Sequence, residues 1–236
     1  MKSYVDFATG QTSGHGPEDL CLVLDTSPSM DFDDFEPSRL GGAIQASVAL
    51  IEAKRAQCPG DRVGVVAFNG CARVVHPLVN VGEGANSVLK SMEDLSTDSC
   101  TNIASGLHEA EQLLLGKSSR LHLGLLGPVI QFFVGDRDEE RGVSSEERPA
   151  RIVLLSDGLS NCGLPPVRSA RALKDRGIQI DVVGIGGSPD SESFDEDQLK
   201  KIASKGPDGV PRYCFIRDTV QLVRKFQELA NHIRPL

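Results

Sequence analysis

Residues 20–29, Leu20-Cys21-Leu22-Val23-Leu24-Asp25-Thr26-Ser27-Pro28-Ser29, decide the fold. Five apolar residues follow one another without polar alternation, as expected of a strand covered on both faces inside a parallel sheet. The run ends abruptly in a carboxylate and a hydroxyl-rich loop. Ligands of open α/β sheets bind beyond the carboxyl ends of the strands. Asp25 is therefore expected to point into that crevice, with Ser27 and Ser29 following it in the loop.

Similar runs recur outward from this one. Residues 62–68, 151–155 and 178–183 read as further strands, and 213–216 as a short last one. Asn69-Gly70 is a hairpin signal that turns the second strand back into residues 72–75. Between the strands, apolar residues recur at helical spacing: Leu40, Ile44, Val48 and Ile51; Ile103, Leu107, Ala110 and Leu114; Val167, Ala170 and Leu173, with Gly177 as a stop; and Leu222, Phe226, Leu229 and Ile233. Alternating strands and helices predict an α/β fold, doubly wound and Rossmann-like. It has a mostly parallel six-stranded sheet, one antiparallel edge strand and helices on both faces. Residues 1–17 read as an N-terminal extension and 18–236 as one domain. An insertion at about 116–149 is apolar in its first half and strongly charged in its second.

Composition narrows the function. With 39% hydrophobic and 25% charged residues among 236, the chain can build a sizeable core. A net charge of −8 without any Lys/Arg cluster argues against a nucleic-acid surface. The first residues lack the apolar run of a signal peptide, and no stretch approaches the roughly 18 apolar residues of a membrane span. The expected location is cytoplasmic, or extracytoplasmic if a targeting segment has been removed. The six cysteines include no Cys-x-x-Cys pair, so no zinc site is expected. Reduced thiols are expected throughout.

Two further oxygen-bearing positions fall on the same rim as Asp25. The strand ending at Ser156-Asp157-Gly158 supplies a second carboxylate, and Thr101 a third hydroxyl just where a helix opens, with a share in capping that helix. Two carboxylates and three hydroxyls form a hard-oxygen set suited to Mg²⁺ or Mn²⁺, with Ca²⁺ as a further candidate. Such a set leaves one position for an acidic side chain from a partner. Taken alone, an Asp-x-Ser-x-Ser triplet more often forms only a turn or cap.

Asp25-x-Ser27-x-Ser29, then Thr101, then Asp157 resembles the metal-ion-dependent adhesion site of von Willebrand factor A domains. Thr101-Asn102-Ile103 with Gly106-Leu107 is similar to the middle motif of that family, and Leu154-Leu155-Ser156-Asp157-Gly158 with Asn161 to its last. Residues 37–40 and 61–68 are similar to bacterial members. The resemblance implies that Asp25, Ser27, Ser29 and Thr101 hold the ion while Asp157 acts through water. It implies a protein partner that supplies a Glu or Asp, and an adaptor role, for example beside an AAA+ ATPase. Cys100 stands where many relatives have glycine, which implies a stiffer loop before Thr101.

Other readings stay open. Asp31, Asp33, Asp34 and Glu36 form a second calcium site, tune the first site electrostatically or, more in keeping with their spacing, make a solvated acidic loop that favours a partner with basic residues around its anchoring carboxylate. The apolar half of the insertion either docks a partner or packs on its own domain. The chain is expected not to be an enzyme. The alternatives are a metal-dependent hydrolase or phosphatase with Asp25 as nucleophile, and a structural module with a silent metal site. A phosphatase of the aspartyl-phosphate type wants an Asp where Ser27 stands. No phosphate-binding glycine loop or dinucleotide fingerprint is complete.

Overall fold

The structure is a computed structural model that describes residues 4–5, 12–13, 16–116, 148–158, 160–186 and 194–231. Ahead of the main sheet, β1 (Tyr4–Val5) pairs antiparallel with β2 (Thr12–Ser13) as a separate two-stranded sheet. The main sheet has six strands: β3 (Asp19–Asp25), β4 (Arg62–Phe68), β5 (Ala72–Asn80), β6 (Ala150–Ser156), β7 (Gln179–Ile185) and β8 (Tyr213–Ile216). Their order is β5-β4-β3-β6-β7-β8, parallel except for the β4–β5 hairpin at one edge. This is the expected α/β architecture.

β3 is buried over its whole length, because helices cover both faces of the sheet. Leu20, Leu22 and Leu24 face one layer, formed by α1 (Arg39–Gln57), α2 (Val81–Ser91) and α6 (Thr219–Asn231). Cys21 and Val23 face the other, formed by α3 (Ile103–Leu114), α4 (Pro166–Asp175) and α5 (Glu196–Ile202). The alternation of side chains along a strand thus divides one apolar run between two cores. β3 leads into α1 on one face and β6 into α4 on the other. The connections above these neighbouring strands therefore part company, and the strand order reverses between them.

Several local outcomes differ from expectation. β5 runs to Asn80, well past residue 75. It does so as an edge strand with register shifts near Val65, and it tolerates Pro77 because an edge needs fewer ladder bonds. Helix α2 was not foreseen; Gly82 and Gly84 disguise its first turns, and Asn80 caps it by accepting a hydrogen bond from the Gly82 N–H at 2.9 Å. α5 also escaped notice, being only 7 residues long. In α1 the buried side is centred on Ala43, Ala46, Leu50 and Ile51, while Ile44 and Val48 are half-buried. The helix is wedged between α2 and α6, so its apolar arc is broader than a single stripe.

Gly177 ends α4 at φ 79°, in the left-handed region as expected. Gly106 lets α3 approach the sheet; a Cβ there would meet the Phe68 ring at 2.8 Å. The 116–149 insertion falls almost wholly outside the described residues, and so does Ile233. Among the described residues, no helix is long and apolar enough to cross a membrane.

Candidate metal centre

The rim at the carboxyl ends of β3 and β6 is built from four short segments. β3 pairs with β6 so that Leu24 lies beside Leu155, which brings Asp25 and Ser156 together one step further on. The Ser156 hydroxyl donates to Asp25 Oδ2 at 2.6 Å. The Ser27 N–H donates to Asp25 Oδ1 at 2.9 Å, and the Ser27 and Ser29 hydroxyls lie 3.3 Å apart. A short 3-10 turn, Pro28–Asp31, carries Ser29, with Pro28 at its first position where a missing N–H costs nothing.

Thr101 reaches this rim through its backbone. Asp98, three residues earlier, donates its N–H to the Thr26 carbonyl at 3.0 Å, and Asn102, one residue later, donates to the Asn69 carbonyl at 2.8 Å. The Thr101 N–H donates to Asn161 Oδ1 at 2.9 Å. Its carbonyl accepts from the N–H groups of Asn161 and Cys162 at 3.0 and 3.2 Å. Its Oγ1 makes no hydrogen bond among the described residues, although Thr101 is only 4% exposed. The expected capping role belongs to another residue. Asn102 is the N-cap of α3, and its side chain accepts from the Ser105 N–H at 3.1 Å.

Burial decides the electrostatics. Asp25 is fully buried, and among the described residues no Lys, Arg or His lies within ion-pair distance of it. Burial, reinforced by the nearby charge of Asp157, pushes its carboxyl up to about 7 against the opposing hydrogen bonds from Ser156 and Ser27. Asp157 has a partner: its Oδ2 accepts from Arg39 Nη1 at 2.9 Å. Arg39 also grips Asp34 through Nε and Nη2 at 2.7 and 2.5 Å, and it stacks 4.9 Å over the Phe32 ring. Arg39 is therefore a strut between the loop after β3 and the loop after β6.

The acidic loop is accordingly less free than its sequence implies. Asp34 is bound to Arg39, and Asp31 accepts from the Thr97 hydroxyl. Asp33 and Glu36 are exposed. Among the described residues, no group of three or more His, Cys, Asp or Glu side chains gathers as a metal cage. The residues that could hold a cation are instead the two carboxylates with Ser27 and Ser29, and Thr101 on the neighbouring loop. Their hard, oxygen-only chemistry, and a buried carboxylate without a basic partner, fit a divalent cation of the Mg²⁺ or Mn²⁺ type.

One expectation is corrected outright. Cys100 and Cys162 form a disulfide that closes a span of 62 residues, whereas reduced thiols were expected throughout. Cys21, Cys58, Cys71 and Cys214 lie outside the disulfide. Spacing between cysteines could not reveal the pair. A usable signal was present all the same: Cys100 adjoins Thr101 and Cys162 adjoins Asn161, so both fall on motif segments assigned to one rim. Ser156 and Arg39 were read only as parts of motif strings, and their contacts with the two carboxylates emerge from the fold.

The family model of the von Willebrand factor type A domain matches residues 19–229. A UPF0353 protein of Mycobacterium sp. (strain KMS) is 29% identical over 173 residues, covering 71% of this chain and 44% of the relative. The chain thus spans about half the length of the curated relatives it matches. Among solved structures, a von Willebrand factor type A protein of Catenulispora acidiphila has a TM-score of 0.66 at 19% identity, covering 93% of this chain and 43% of that one. Proximal thread matrix protein 1 of the mussel byssus, in a form with a zinc-occupied metal-ion-dependent adhesion site, has a TM-score of 0.64 at 18% identity. The match covers 92% of this chain and 48% of that one. At such identities the structural likeness speaks to the fold.

Proposed function

Because the chain belongs to the von Willebrand factor type A domain family, we propose that it is a divalent-cation-dependent protein-interaction module, with its cation site at the β3–β6 rim. Asp25, Ser27, Ser29 and Thr101 hold the ion, and Asp157, oriented by Arg39, holds one of its waters. When bound, Mg²⁺ or Mn²⁺ supplies an open coordination position for a carboxylate oxygen of a partner's Glu or Asp. The observation that carries this reading is Asp25: a fully buried carboxylate near a second one, bonded to hydroxyl and backbone donors and, among the described residues, without a base in contact. That the mussel protein's metal-ion-dependent adhesion site takes up zinc supports a divalent ion as the ligand.

Exposed Asp33 and Glu36 beside the rim favour a partner whose anchoring carboxylate is flanked by basic residues. The module serves as an adaptor within a larger assembly, and an AAA+ ATPase is the partner class that the resemblance suggests.

The test is a thermal melt of the full chain with and without about 1 mM Mg²⁺, Mn²⁺ or Ca²⁺. A cation at 100 times its Kd stabilises the native state by about 2.7 kcal/mol, and Asp25→Asn should remove that gain. A midpoint unmoved by all three ions would instead leave a structural module with a silent site. Phosphate release from generic substrates, lost in Asp25→Ala, would replace the binding module by a hydrolase. Capture of the partner with and without chelator then tests the interaction itself.

A further inference from the structure

Each of the two loops that meet at Thr101 carries a cysteine beside its bridging residue. Cys100 precedes Thr101, Cys162 follows Asn161, and the two are bonded. Resting on the cation-site reading above, we propose that the Cys100–Cys162 disulfide is a positioning element of that site. It holds the Thr101 hydroxyl at a fixed place relative to Asp25 and Asp157, so that opening it lowers cation affinity while the fold stands.

Both segments need such a hold. Residues 95–102 have no regular secondary structure, and neither do 160–165. Ser99 sits at φ 65°, a conformation uncommon for a residue with a side chain. Asp98 is tied to Thr26 and Asn102 to Asn69, but among the described residues Thr101 itself is tied only to the other loop, through Asn161, Cys162 and Ser160. Asn161 is exposed, so these hydrogen bonds compete with water and none is strong alone. The disulfide makes the same loop-to-loop junction permanent. An ion held by ligands from both sides requires that junction, because its oxygens must stay at short, fixed distances.

The core does not depend on the bond. Both cysteines are half-buried at the rim, and the two apolar clusters form without either of them. Groups that orient metal ligands typically change affinity by about 10–100-fold when removed. The consequence is a cation site at full strength only in an oxidising compartment, since thiols stay reduced in the cytosol. The cytoplasmic placement expected from the N-terminal residues would leave the site weakened.

The test uses the full chain carrying Cys71→Ser, because a side chain at neighbouring Gly70 would lie 3.2 Å from Cys100 Sγ and thiol exchange must be prevented. Free thiols are counted first in denaturant. The expected count is three without reductant and five with it, since removing Cys71 from the four cysteines outside the disulfide leaves three. Five without reductant would overturn the proposal. Mn²⁺ alone is then titrated by electron paramagnetic resonance against oxidised, phosphine-reduced and reoxidised protein, with a thermal melt of each form in chelator.

Reduction should weaken Mn²⁺ binding by about 10-fold or more, and reoxidation should restore it, with a melt in chelator that remains cooperative. Adding Cys100→Ala and Cys162→Ala should give the weak affinity and make it indifferent to reductant. Equal, measurable affinity in the oxidised and reduced forms would overturn the positioning role and leave the cation site standing. No binding even when oxidised would overturn both.

Discussion

The two ends of the main sheet handle buried charge in opposite ways. At the amino ends of the strands, acids touch bases. Fully buried Lys54 reaches Glu18 and Asp61 at 2.7 and 2.6 Å, Arg62 grips Asp19 at 2.7 and 2.5 Å, and Asp181 lies between Arg151 and Arg212 at 2.7 and 2.9 Å. Burial alone would raise the Asp181 carboxyl, but the two arginines more than offset it and hold it below the usual range. Glu18 is still raised by burial despite Lys54, so contact with a base moderates the desolvation cost without abolishing it. At the carboxyl ends, Asp25 has hydroxyls and a second carboxylate for neighbours and is pushed up to about 7. Asp157 beside it is paired with Arg39, so among the described residues it is Asp25 alone at this end that is buried without a base in contact.

The largest effect expected from this contrast is at Asp25. Asp25→Asn should abolish detectable Mn²⁺ binding at about 1 mM ion, while the chelator-treated protein melts no lower than wild type, because a poorly solvated charge has been removed. A marked drop in the chelator melt would show Asp25 to be a structural residue like those at the other end.

Next in size is Lys54→Met, which leaves Glu18 and Asp61 buried without their cation. Breaking such a pair costs roughly 3–5 kcal/mol, read by urea unfolding, and the loss should be equal with and without Mg²⁺. A loss that Mg²⁺ repairs would erase the division between the ends.

Asp181→Asn should cost about 1.5–3 kcal/mol at neutral pH, the range for hydrogen bonds to charged groups. Its pH dependence has a definite sign. The Asp181 carboxyl is lowered on folding, so its contribution is complete above the ordinary unfolded value near 3.9 and is lost as pH falls through the lower folded value. The variant should therefore converge on wild type in acid, as followed by urea unfolding from pH 7 down to about 3. A constant gap over that range would remove the ion pairs from the explanation.

The smallest effect is Thr101→Val, which keeps the shape and removes the unbonded hydroxyl. Mn²⁺ affinity should fall by about tenfold, some 1.4 kcal/mol, with the chelator melt unchanged. Unaltered affinity would take Thr101 out of the cation site.

Much of this was legible in the sequence, for reasons that particular residues make plain. The unbroken run from Leu20 to Leu24 could be read because both faces of β3 are covered. Asp25 and Asp157 could be read as neighbours because the ends of β3 and β6 share an edge of the parallel sheet. What could not be read depends on three-dimensional proximity or on competition among neighbours. The grip of Arg39 on Asp157 spans 118 residues, and the bond from Cys100 to Cys162 joins loops that periodicity does not describe. The broad buried side of α1 reflects two flanking helices, and Ala43 and Ala46 carry it where Ile44 and Val48 had seemed the natural choice. The length of β5 follows from its edge position and bulged register, which a proline in the string obscured.

The parting of the connections above β3 and β6 separates shape from chemistry. With one connection leaving for each face, the backbone there has the reversal of strand order beside which open α/β sheets form their binding crevice, whatever side chains lie near it. That reversal is set by the order of strands and helices and by none of the oxygens at Asp25 or Thr101. Substitutions at those side chains can thus change what the strand ends bind while the winding stays intact.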